Sequence, residues 1–99
     1  MSNPEQEEKI TTLNLDGKKG VNILKRRYDM MKDSILGVIK GKEEVTLAEL
    51  NSLVESDLSG TFDGKIGWYL MAVKLDLEVR EMIEKVPKAT PQKLRLVKK

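Results

Sequence analysis

The hydrophobic period of this chain changes once, inside its last third, and that change limits the folds open to it. From Ile66 to Leu77 the apolar residues recur at helical spacing. Ile66, Leu70, Val73 and Leu77 fall on one stripe when residues are laid out at about 100° each. Past Glu81 the spacing becomes alternation, in Met82-Ile83-Glu84-Lys85-Val86 and again in Lys93-Leu94-Arg95-Leu96-Val97. Pro87-Lys88-Ala89-Thr90-Pro91-Gln92 separates the two alternating runs and reads as the tip of a hairpin. A helix running directly into a basic hairpin is the expectation.

Upstream, Leu13 and Leu15 alternate with polar neighbours, Asp16-Gly17-Lys18-Lys19-Gly20 offers turn chemistry, and Val21 and Ile23 alternate again, which predicts a small N-terminal hairpin. Gly17-Lys18-Lys19-Gly20 lacks the spacing and the Ser or Thr of a phosphate-cradling loop, so it reads as the hairpin turn. A first helix is expected from Lys25 to Lys40, with Tyr28, Met31, Ile35 and Ile39 as its buried stripe and Gly41 as its end. Glu44-Val45 is a brief extended link. Thr46-Leu47-Ala48-Glu49 is a capping box that opens a second helix, with Leu47, Leu50, Val54 and Leu58 facing inward and Ser59-Gly60 stopping it. Residues 1–8 offer nothing apolar to dock and are expected to form a mobile tail before a single domain over 9–99.

The link from Ser59 to Lys65 passes two negative tests. Asp57, Ser59, Thr61 and Asp63 alternate like the oxygens of a calcium loop, but Phe62 stands where the sharp-turn glycine belongs and Trp68 where the bidentate glutamate belongs. Gly64-Lys65-Ile66-Gly67 matches the short G-x-x-G with which KH domains clamp RNA, which leaves a KH-like RNA-binding alternative at the far end of the range. The approach Thr61-Phe62-Asp63 reads instead as a helix entrance with Asp63 as the cap.

Composition narrows the chemistry. The 99 residues contain no Cys and no His, which removes disulfides, thiolate metal sites, the usual zinc ligands and the commonest nucleophile and base pairs. No catalytic residue, metal or cofactor is assigned, and the expectation is that the chain is not an enzyme. No apolar run approaches membrane-spanning length, and the acidic, polar start fits neither a secretory signal nor a transit peptide, so a cytoplasmic protein without a membrane partner is expected. Net charge is only +2, but its signs are segregated. Glu43 to Asp63 holds six carboxylates and no Lys or Arg, whereas Lys85 to Lys99 holds six cations and no Asp or Glu. A second basic cluster lies at Lys18, Lys19, Lys25, Arg26 and Arg27.

The third helix has an unusual outer side. Opposite its core stripe stand Trp68, Ala72, Leu75 and Val79, with Met71 beside them. Polar residues are confined to two flanks, Lys74, Glu78 and Glu81 on one and Lys65, Asp76 and Arg80 on the other. Either the N-terminal hairpin covers the second apolar stripe, or that stripe pairs two chains or receives another protein, with Trp68 as anchor.

The order of elements from Lys25 to Val97 resembles winged-helix regulators. Leu77-Glu78-Val79-Arg80-Glu81-Met82-Ile83-Glu84-Lys85-Val86 is similar to their helix-to-wing junction, except that Glu81 holds the usual glycine position. Either the helix runs on there, or Glu81 takes a left-handed conformation. The resemblance implies an α+β winged helix: a three-helix core, a C-terminal hairpin wing and the small N-terminal hairpin. It implies a regulator-like role on double-stranded DNA, with Lys65, Lys85, Lys88, Lys93 and Arg95 touching the duplex and Lys18, Lys19, Arg26 and Arg27 adding charge. The chain as a whole also resembles a small uncharacterised bacterial family through Gly17-Lys18-Lys19-Gly20-Val21, Gly67-Trp68-Tyr69, Val73-Lys74-Leu75-Asp76-Leu77-Glu78 and Pro91-Gln92-Lys93-Leu94-Arg95-Leu96. That second likeness implies no activity. The alternative role is a non-enzymatic protein interaction or homodimer module through Trp68, Met71, Ala72, Leu75 and Val79.

Overall fold

A computed structural model describes residues 8–14 and 18–97. Residues 1–7 of the expected tail, Leu15 with the turn residues Asp16 and Gly17, and the last two lysines lie outside the described residues. The chain is α+β, with strands β1 (Lys9–Leu13) and β2 (Lys19–Leu24), helix α1 (Lys25–Lys42), strand β3 (Glu44–Thr46), helices α2 (Leu47–Leu58) and α3 (Ile66–Val79), and strands β4 (Ile83–Lys85) and β5 (Lys93–Leu96). Two small antiparallel sheets result, one of β1 and β2 and one in the order β3-β5-β4.

The N-terminal hairpin pairs Ile10 with Ile23 and Thr11 with Asn22, and its register shifts between Thr11 and Leu13. Thr12 turns inward at that irregularity, and its Oγ1 accepts a hydrogen bond from the Val21 N–H at 3.0 Å. Gly20 lies in β2 rather than in the turn. A Cβ there would collide with the Thr12 hydroxyl, so the close approach of the strands requires glycine. Glu8, placed with the tail from sequence, accepts a backbone bond from Lys25 N at 2.8 Å and so closes the strand pair against the start of α1.

Helix α1 buries Tyr28, Met31, Ile35 and Ile39, as the spacing requires, together with Ser34. It does not stop at Gly41. The helix continues through Lys42, with Lys40 and Lys42 complementing its C-terminal dipole, and reverses at Glu43, whose φ is +68°. The reversal falls where the chain is captured by a strand pair, Glu44 opposite Arg95 and Thr46 opposite Lys93. The brief link is therefore the outer strand of the C-terminal sheet, and Val45 is completely buried. Thr46 then caps α2 as expected: its hydroxyl accepts from Glu49 N at 3.1 Å while the Glu49 carboxylate accepts from Thr46 N at 3.0 Å. Leu50, Val54 and Leu58 face the core, whereas Leu47, expected to face inward, stays 37% exposed in the first turn.

Leu70, Val73 and Leu77 of α3 meet α1 and α2 in one hydrophobic cluster that Ile83 and Leu94 of the C-terminal sheet complete. Past Val79 the chain resolves the choice posed at Glu81. Glu81 N bonds to Glu78 O at 3.1 Å and Met82 N to Leu77 O at 2.9 Å, while Glu81 takes φ +59°. This is the Schellman arrangement, with a glutamate at the left-handed position that glycine usually fills. The reversal sends Ile83 straight into β4, which pairs with Leu96 of β5.

Candidate functional site

Helix α3 presents few side chains to solvent. Its exposed residues are Gly67, Trp68 and Met71, with Trp68 50% and Met71 40% accessible. Ala72, Leu75 and Val79 are half-buried. The hairpin accounts for part of this cover, because Thr12, Asn14, Gly20 and Val21 face Trp68, Met71, Ala72 and Leu75 across a shallow groove. The expected cover by the hairpin thus holds over part of the stripe only. The hairpin flanks the middle of the helix, and the N-terminal turns remain open.

Asp76 fixes the hairpin in that position. Sequence placed it on a polar flank, but its side chain is wholly buried. One carboxylate oxygen accepts the Leu13 N–H of β1 at 3.0 Å, and the other accepts the Tyr28 hydroxyl of α1 and Arg80 Nε at 2.8 Å. A buried carboxylate without partners is very costly, so these donors are what make the position tenable. Burial, and then the hydrogen bond to Asp76, push the Tyr28 hydroxyl pKa well above its ordinary value. Arg80 is raised as well, chiefly by its bond to Asp76. Lys74 and Glu78, assigned to the other flank, are also sunk: their side chains are 9% and 6% accessible and pair at 3.2 Å. The second oxygen of that pair, Glu78 Oε1, is buried and has no hydrogen-bond partner. Asp76 is sunk because β1 and α1 close over it, and Lys74 and Glu78 offset their burial by pairing with each other.

The predicted cations fall into four places. Arg26 and Arg27, at the start of α1, converge on Asp63. Arg26 gives it two bonds of 3.1 Å through Nη1 and Nη2, and Arg27 gives two more of 3.1 Å through Nε and Nη2. Arg27 Nη1 also donates to the Tyr69 hydroxyl at 2.8 Å. Asp63 therefore does not cap α3. The cap position is Lys65, which provides no side-chain cap bond. The bonds from Arg27, then from Arg26, hold the Asp63 carboxyl far below the usual range, so the pair of arginines is already matched to an anion within the chain.

Lys18 and Lys19 are exposed on the N-terminal hairpin, and Lys65 is exposed at the start of α3. On the C-terminal hairpin Lys85 and Lys88 are exposed, Lys93 is half-buried, and Arg95 Nε bonds to Glu84 Oε2 across the strands at 2.7 Å. The tip holds Lys88 at φ +62° and a cis peptide between Thr90 and Pro91. Gly64 of the G-x-x-G run sits against Phe62 and Tyr69, where an added Cβ would lie 2.9 and 2.6 Å from their ring carbons, while Gly67 is already inside α3.

Among the described residues no group of three or more His, Cys, Asp or Glu is placed to hold a metal ion. None of their helices is long and apolar enough to cross a membrane. Sequence reasoning missed the Asp76 network. Two signals pointed to it, the i,i+4 spacing of Asp76 and Arg80 and a tyrosine on a buried stripe, whose hydroxyl needs a partner.

The profile of a family of unknown function, DUF6958, matches residues 9–94. The chain belongs to that family. The match spans the N-terminal hairpin and all three helices and ends within β5, so the family unit includes the Asp76 anchor and the open turns of α3. No curated protein and no solved structure matches the chain.

Proposed function

We propose that this member of the family is a cytoplasmic, non-enzymatic DNA-binding module of winged-helix build, which holds the duplex through Lys85, Lys88 and Lys93 of the C-terminal hairpin and Lys65 at the start of α3. The observation that carries the reading is the strand between α1 and α2: β3 joins the C-terminal hairpin in the order β3-β5-β4, so the hairpin is braced beside the α2–α3 pair. Phosphate contact needs exposed positive charge on a rigid support, and the braced hairpin offers it. Arg26 and Arg27 contribute less than two free cations would, because both are held on the single Asp63 carboxylate, which offsets one of their two charges. The carboxylates exposed on α2, Glu49 and Glu55 among them, keep that helix away from the backbone, which leaves the hairpin and α3 as the contacting elements.

The test is fluorescence anisotropy of a labelled duplex titrated with the full chain at several salt concentrations. Affinity falls by about 0.9 log units per log unit of salt for each phosphate neutralised. The Lys85→Glu/Lys88→Glu variant, both positions being exposed, loses binding and keeps its circular dichroism spectrum. No anisotropy change at low salt would falsify the reading.

A second reading rests on the accessibility of Trp68 and Met71: the same face pairs two chains. Sedimentation decides it, because a dimer held by this face is lost in Trp68→Glu, and a wild-type monomer at all concentrations rules it out.

A further inference from the structure

Resting on the DNA-binding reading, we propose that the open turns of α3 read the duplex by apolar contact with thymine methyl groups in the major groove, through Trp68 and Met71. The exposed residues of this helix, Gly67, Trp68 and Met71, include none of the Arg, Lys, Asn or Gln side chains that match base edges by paired hydrogen bonds. What they offer is an apolar surface and, at Gly67, open space with nothing within 4 Å of where a Cβ would stand. The 5-methyl of thymine is the one apolar group that the major groove displays, so it is the feature such a face can recognise.

The indole is held ready for that contact. Its ring meets Tyr69 edge to face at 4.9 Å, Tyr69 meets Phe62 in the same way at 5.1 Å, and Arg27 fixes the Tyr69 hydroxyl. Half of Trp68 therefore faces outward from a rigid stack. Met71, one turn further on, adapts to the shape beside it.

Charge selects the occupant. Lys65 precedes Trp68 by three residues, Lys19 adjoins the Gly20 that lines the groove, and both are exposed. The nearest acids of α3 are committed, Asp76 to its donors and Glu78 to Lys74. A second copy laid on this face would bring lysine rims together with no exposed α3 carboxylate between them. A polyanion meets the same rim with opposite charge.

The experiment compares the full chain on one A·T-rich duplex made with thymine and again with uracil, which keeps every charge and hydrogen-bonding group and lacks only the methyls. Removing a methyl contact weakens binding by about fourfold, so the uracil duplex binds at least that much more weakly. The Trp68→Ala/Met71→Ala variant binds both duplexes alike, with the salt slope of the wild type. Equal wild-type affinity for the two duplexes overturns the inference and leaves the DNA-binding reading standing. Absence of binding to either duplex overturns both. A wild-type dimer abolished by Trp68→Ala, with no duplex bound, gives the face to a second copy and overturns both as well.

Discussion

Replacing Glu81 by glycine should make this protein more stable, although the change removes a side chain and adds freedom to the unfolded chain. Glu81 stands at φ +59°, where its Cβ crowds the following carbonyl. A left-handed residue with a Cβ costs about 1–2 kcal/mol. Glycine relieves that cost and gives back about 0.4–1 kcal/mol through the greater entropy of the unfolded state. The side chain of Glu81 is exposed, so little else is lost. The bonds from Glu81 N to Glu78 O and from Met82 N to Leu77 O need only the backbone and survive the change. The net gain is about 0.5–1 kcal/mol, which for a domain of this size raises the melting temperature by roughly 2–8 °C. Thermal melts followed by circular dichroism, paired with urea titrations, measure it. Glu81→Ala, which keeps the Cβ, is the control and gains nothing. If Glu81→Gly melts at or below the wild type, the strain is absent, and the account of how α3 turns into the C-terminal hairpin fails with it.

Asp76→Ala leaves Tyr28, Arg80 and Leu13 N without their acceptor. Breaking a buried pair in this way costs about 3–5 kcal/mol; urea unfolding reads the loss, and faster amide exchange at Leu13 shows the hairpin detaching from α3. For Gly64→Ala, rings now 2.6 and 2.9 Å from the new Cβ must move, at a cost of about 1–3 kcal/mol, whereas Gly67→Ala is tolerated. The Asp63 carboxyl, held far below its ordinary range by Arg27 and Arg26, contributes stability that is fully present above the unfolded-state value and lost as pH falls through the depressed folded value. Carbon-detected carboxyl titration should find its midpoint well below the ordinary aspartate value, returning toward that value in Arg26→Gln/Arg27→Gln; a normal midpoint in the wild type refutes the bidentate contacts.

Much of the frame is legible in the residues because each element carries its own local instruction. The α1 stripe of Tyr28, Met31, Ile35 and Ile39, the Thr46 to Glu49 capping box and the alternation around Ile83 and Leu94 all act over a few residues, and all are realised. Three of the misreadings share one cause, which is long-range pairing. Asp63 looks like a cap because it precedes a helix, but its partners lie 36 and 37 residues earlier, at Arg27 and Arg26. Glu44-Val45 reads as a link because its partner strand comes some fifty residues later. Asp76 reads as a solvated flank because two of its donors, Leu13 and Tyr28, are 63 and 48 residues away.

These long-range contacts also decide where a partner can reach the protein. The bond from Leu13 N to Asp76 ties the N-terminal hairpin to α3. With it, Ala72 and Leu75 are partly covered and access is concentrated at Trp68 and Met71, next to Lys65. The hairpin thus confines the exposed apolar face of α3 to its first turns, the part that would reach base edges on the DNA-binding reading proposed above. A variant that frees the hairpin while leaving the C-terminal sheet intact should therefore lengthen the apolar surface without adding charge. It should bind a hydrophobic dye more strongly than the wild type and keep the same salt dependence on a duplex. If freeing the hairpin instead changes the salt slope, Lys18 and Lys19 act on the backbone directly, and the division between a charged grip and an uncharged reading face has been drawn in the wrong place.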